Sequence, residues 1–174
     1  AKEHAKKAFD LIEFLQTVTG TSGFIARTVV PSDWDKMHDG NEVVSPERRA
    51  EARVNDPRWK PVEQRWRPSA DGKWYWKGDT SSDEIIGHFN GFYVYYTLID
   101  DETEKVRVRN LTRRIMDYII DGGYNLNDTD GTHTHWAVWA PEKLMGDPDW
   151  RAESGINSAE LLMFLKTSYF ITGD

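Results

Sequence analysis

Cysteine is absent from the 174 residues. That excludes disulfides, thiol nucleophiles and thiolate metal sites, and it leaves the compartment open. Also missing is any run near the roughly 18 apolar residues of a membrane span, so no span is expected. Basic residues are the minority: 22 Lys and Arg stand against 29 Asp and Glu, for a net charge of −7. A general nucleic-acid binder carries the opposite balance, so no nucleic-acid partner is expected. There is no G-x-S-x-G elbow, no P-loop and no G-x-G-x-x-G turn, which removes the serine-hydrolase, NTPase and Rossmann readings. H-E-x-x-H and tight ligand clusters are lacking too, so neither metal nor cofactor is expected. Aromatic residues are plentiful, at 13% with eight tryptophans. A disordered chain is poor in them, so residues 1–174 read as one globular domain with a real core.

The hydrophobic period divides the chain. Ala5, Phe9, Ile12 and Leu15 fall at helical spacing and predict a helix over about 2–17, stopped near Gly20. Residues 21–80 read as a long Trp- and Arg-rich loop excursion, rich in proline, with a short helix in "SPERRAEARV" capped by Ser45. Helices follow over about 82–99 and 103–120, joined by a short polar link and closed by "DGG". These two form an antiparallel hairpin. The period then changes to 2, and Asp130-Gly131 signals a β-hairpin over 124–138. "PEKLMGDPDWRAESG" reads as loop, and a last helix begins at Asn157 or Ser158 and runs to about Phe170. Both ends read as cuts within a longer architecture, so the rest of a larger chain is an expected partner.

The stretches "GDTSSDEIIGHF", "RIMDYIIDGGYNL", "DGTHTHWAVWAPEKL" and "GINSAELLMFLK" resemble parts of large bacterial proteins with an (α/α) toroid of the six-hairpin glycosidase type. The resemblance covers most of the chain from Gly78 onward. It implies a mainly α fold: antiparallel helical hairpins of an incomplete toroid, with a small β-hairpin insertion. A closed toroid needs more hairpins than the two available here. The resemblance further implies a glycoside hydrolase or polysaccharide lyase, a poly- or oligosaccharide partner, and a secreted or periplasmic location. The alternative is a non-catalytic helical scaffold that binds a glycan or a partner protein.

The residues supply candidate chemistry. Glycoside hydrolysis needs two carboxyl groups, one protonated and one ionised. Asp79 and Asp83 are the catalytic candidates, because Ser81-x-x-Glu84 fits a capping box that commits Glu84 to the helix start. His88 lies one turn beyond Glu84, where a carboxylate can tune an acid or base. The competing reading is a buried histidine bonded to its helix neighbour. His133 and His135 share a strand face in "HTHW", suited to hydrogen-bonding a sugar, and one such pair is no metal site. Trp74 and Trp76 offer flat faces for sugar stacking, and Arg67 a fork for an acidic glycan. Each of these also has a plainer reading, as core or as an ion-pair partner of nearby acids.

Overall fold

The computed structural model describes residues 2–34, 45–59 and 65–174. Parts of the 21–80 stretch, at 35–44 and 60–64, lie outside those residues. The chain is mainly helical. Four long helices, α1 (Lys2–Thr17), α3 (Ser82–Leu98), α4 (Glu102–Asp121) and α6 (Ser154–Thr172), carry most of it. Two short ones, α2 (Pro46–Asn55) and α5 (Pro141–Gly146), sit in the connections.

Side-chain pairs fix the helix directions. Lys6 reaches Glu104 at 2.5 Å and Asp10 reaches Arg107 at 2.8 Å, so α1 and α4 run the same way. Phe89 stacks on Phe164 at 4.6 Å and Tyr93 meets Phe170 at 5.4 Å, so α3 and α6 also run together. Phe9 stacks on Tyr95 at 4.9 Å while Ile12 approaches Gly91, which makes α1 antiparallel to α3. The outcome is two antiparallel pairs in chain order, α1 with α3 and α4 with α6. Each apolar ring sealed in the core, such as Phe89, Phe92 or Phe164, contributes about 1.5–3 kcal/mol of burial energy.

The α1–α4 seam is ionic. Arg107 meets Asp10, Glu13 and Glu104, and the Tyr95 hydroxyl donates to Glu104 at 2.9 Å. Burial alone would raise the Glu104 carboxyl. Hydrogen bonds from Lys6, Tyr95 and Arg107 instead hold it at about 2.

The 21–80 stretch is more ordered than the sequence suggests. It contains an antiparallel sheet of three short strands, β1 (Thr28–Pro31), β2 (Trp66–Pro68) and β3 (Trp74–Lys77), in the order β1-β3-β2. The expected helix over 46–55 is there as α2, with Pro46 in its first turn and Ser45 accepting from the Arg48 N–H. Phe24, Ile25 and Trp76 enter the main core, so these described parts of the stretch pack on the helices. The last helix begins three residues before Asn157, and α5 occupies part of the expected loop.

The hairpin of β4 (Asn125–Asn127) and β5 (His133–Val138) falls inside the expected range. Its turn closes on Asp128, whose N–H donates to the Thr132 carbonyl at 2.8 Å and whose carbonyl accepts the Gly131 N–H at 2.9 Å, while its side chain meets Arg67.

Candidate functional site

The excursions between helices all leave from one end of the bundle, where α1 and α4 finish and α3 and α6 begin. The sheet, α2, the hairpin and α5 therefore gather around the first turns of α3 and α6. Helix N-termini carry partial positive charge, and Asp83, Glu84, Glu153 and Glu160 lie along the first turns of α3 and α6 or beside them.

A buried polar junction joins the sheet to the hairpin. Asp79 is 2% exposed, and its carboxylate lies 3.0 Å from Arg65 Nη2. The same carboxylate accepts the His135 backbone N–H at 2.7 Å. Its own N–H donates to Asp128 Oδ2 at 2.7 Å. Asp128 in turn accepts from the Thr129 N–H and lies 2.9 Å from Arg67 Nη1, whose N–H is aimed off the oxygen. Arg67 lies over the Trp76 ring, 5.1 Å from its centroid. Asp79 has φ of +52°, a region few residues other than glycine adopt. Gly78 is needed beside it: a Cβ there would come 2.3 Å from Arg67 Nη1 and 2.6 Å from Asp128 Oδ2.

A second cluster borders the first. Arg58 bridges Asp56 at 3.1 Å and Glu153 at 2.7 Å, with its guanidinium over Trp136 and Trp150. Burial opposes charge on both Asp56 and Arg58, yet hydrogen bonds win: those from Arg58 lower Asp56, and those to Glu153 and Asp56 raise Arg58. The His135 ring stacks on Trp136 at 4.3 Å, and its Nε2 stands 3.4 Å from Asp56, too long for a strong hydrogen bond. Burial lowers the His135 pKa, with Asp79 and Asp56 pulling the other way.

The third group belongs to the helix starts. Glu84 accepts the Ser81 N–H at 2.7 Å and the Ser81 hydroxyl at 2.5 Å, completing the capping box, and pairs with Arg27 at 3.2 Å. Asp83 is exposed and makes no hydrogen bond or ion pair with any described residue. One residue that sequence reasoning missed lies on the neighbouring helix. Glu160 is 3% exposed and accepts the Trp139 indole N–H at 2.9 Å. Burial pushes its carboxyl up; the Trp139 bond opposes this, and the negative charges of Asp83 and Glu153 add to it. Its signal in sequence was weak, since "NSAELL" reads as an ordinary helix start. Asn157, one turn earlier, is tied to the Val138 carbonyl and anchors α6 under the hairpin.

The structure thus redistributes the expected sites. Asp79, Arg67 and His135 come together, as partners in the junction. The expectation that Asp79 faces a cleft is corrected, because its carboxylate is enclosed and committed. Trp76 is also corrected: at 3% exposure it packs against Phe24 and offers no face to a sugar. His133 and His135 do not act as a pair, since His135 is buried and His133 is half-buried with its Nδ1 2.7 Å from the Thr134 carbonyl. Trp74 stays half-buried against Phe14, lining a shallow groove of about 210 Å³ with Ser69 and Asp71, away from the junction. His88 is on the α1 side of α3, with a buried Nε2 that has no hydrogen-bond partner rather than a bond to Glu84. Its pKa falls to about 4 through burial, with Glu84 opposing. A groove of about 630 Å³ runs between α5 and the start of α6, lined by Leu144, Asp147, Arg151 and Ser158. Among the described residues no cluster of three or more potential metal ligands exists.

Comparison of the chain with protein-family models, with characterised proteins and with solved structures finds no match.

Proposed function

We propose that the chain is a segment of a carbohydrate-active (α/α) toroid, acting on glycosidic bonds of a poly- or oligosaccharide as a hydrolase or lyase. One observation carries the reading: Asp83 and Glu160 stand at the starts of two parallel neighbouring helices, and only one of them is buried. Burial favours the protonated form of Glu160, while Asp83 is exposed. A glycosidase needs that division, with one carboxyl giving a proton to the leaving oxygen and the other supporting the developing positive charge or activating water. A lyase would use a carboxylate to take the proton beside an acidic group. The two antiparallel helix pairs and the gathering of excursions at one end add support. A secreted or periplasmic setting belongs to the same reading.

A second reading has its own support. Asp79, Asp128, Arg58, Arg67 and Glu84 are all held in structural bonds, as in a scaffold that binds glycan or a partner protein without cleaving it. Activity on a panel of neutral and acidic oligosaccharides separates the two. Cleavage by the parent, reduced about a hundredfold or more in both Asp83→Asn and Glu160→Gln, supports the enzyme. Glycan binding without cleavage favours the scaffold. Cleavage left intact by both substitutions would remove Asp83 and Glu160 from the chemistry.

A further inference from the structure

The four long helices treat water in two different ways. The outward faces of α1 and α4 are charged, with Lys2, Glu3 and Lys7 on one and Arg113, Arg114 and Asp117 on the other. The outward faces of α3 and α6 are not. On α3 the exposed positions include Ile86, Tyr93, Val94 and Leu98, and Asp83 is the single charge. On α6 they include Leu162, Leu165, Tyr169 and Phe170, and on this outward face Lys166 is the single charge. A helix that is apolar all round is normally buried all round. The contact between Tyr93 and Phe170 joins the two faces into one surface.

The size of the surface says what it is for. Summed, the fractional exposures of those eight apolar side chains equal about four whole residues. At about 200 Å² each that is on the order of 800 Å², beyond the apolar patch of a typical monomer and equal to one partner's share of a standard interface. Ser158, Leu162, Leu165 and Tyr169 are spaced by four, three and four, the seam by which one helix packs on another. Charge points to the same kind of occupant. The chain as a whole carries −7 and repels its own copies, whereas this face holds one acid and one base and so opposes no copy of itself.

We propose that the α3–α6 face pairs with the same face of a second copy, giving a two-fold homodimer. The contact is isologous, so each α3–α6 pair crosses its own equivalent in the opposite direction. This inference is independent of the reaction proposed above, since the residues it uses, apart from rim Asp83, lie away from the carboxylates.

Sedimentation velocity across the micromolar range tests it, with the parent expected at twice the 20.1 kDa chain mass. Combined Leu162→Glu and Tyr169→Glu should weaken the dimer by roughly thirtyfold or more, while Leu11→Glu on α1 should leave it unchanged. Because the chain has no cysteine, a single Leu162→Cys gives a readout that does not burden the fold. Leu162→Cys should be joined by a short bis-maleimide, and Arg113→Cys on α4 should not. A monomeric parent at high micromolar concentration, assembly into open higher oligomers, or equal cross-linking of the two cysteine variants would each overturn the proposal.

Discussion

Lowering the pH should destabilise this protein through His88 in a measurable window. The ring is sheltered on the α1 side of α3, and its buried Nε2 has no hydrogen-bond partner. Burial brings its pKa from 6.5 in the open chain to about 4, against the pull of Glu84. The folded state therefore binds fewer protons than the unfolded state between those values. The neutral ring's contribution is complete above pH 6.5, declines as pH falls, and is fully lost once pH drops through about 4. A difference of about 2.5 units at 1.36 kcal/mol each gives ~3 kcal/mol over the window, or about 1.4 kcal/mol per pH unit. Carboxylates titrate in the same range, so the informative quantity is the difference between parent and His88→Leu. Urea unfolding would be followed for both from pH 7.5 to 4. At pH 7.5 His88→Leu should be equal or slightly more stable, because it removes an unpaired buried nitrogen. The gap should then widen in favour of the variant as the solution is acidified. Parallel pH dependences in the two proteins would refute the reasoning, as would an NMR titration placing the His88 ring near 6.5.

Other expectations follow from the same end of the molecule. Glu84→Ala should cost on the order of 1–2 kcal/mol in chemical denaturation, because it removes the cap bonds to Ser81; an unchanged midpoint would deny the cap. Asp128→Ala should cost more, about 3–5 kcal/mol, since Arg67 loses its buried counter-charge and the Asp79 N–H its buried acceptor. Gly78→Ala should fail to reach the parent's melting temperature, because its new methyl would overlap Arg67 and Asp128. Glu160→Gln should raise stability near neutral pH and have little effect near pH 4. The raised pKa of the buried carboxyl means that stability is full at low pH and declines as pH rises from the open-chain value.

The helices were legible because their period and caps agreed. Phe9, Ile12 and Leu15, then Ile85, Phe89 and Phe92, repeat at helical spacing, and the Ser81–Glu84 box marks its start with a hydrogen bond that forms. The three-stranded sheet was missed for a local reason. Its strands are three or four residues long, too short for a period of 2 to stand out, and Pro31 and Pro68 close two of them. The available signal was Asp71-Gly72 between "WRP" and "WYWK", where Gly72 takes φ of +69° and Asp71 accepts from the Lys73 N–H. The polar junction was out of reach from spacing alone. Asp79 and Asp128 are 49 positions apart and Arg67 meets the latter through a sheet that pattern reading did not contain. Charged residues in a loop usually face water, and nothing local marks the few that do not.

The segment from Gly78 to His88 narrows where chemistry can reside. Gly78 gives up its side chain to let Arg67 and Asp128 close over it. Asp79 holds Arg65 and the hairpin. The Thr80 hydroxyl donates to the Ile25 carbonyl at 2.7 Å and fastens the helix start to the core. Ser81 and Glu84 cap each other. Each of these groups is held in bonds that tie the start of α3 to the rest of the fold. Asp83 is the acid of this segment with no such commitment, and helix geometry turns it about 100° from Glu84. That turn carries it from the capped side towards the side of α6, where its charge raises the Glu160 carboxyl. Adjacent acids thus part ways: the neighbour on the cap side keeps the helix end closed, and the one on the open side is the acid that the proposed reaction would use.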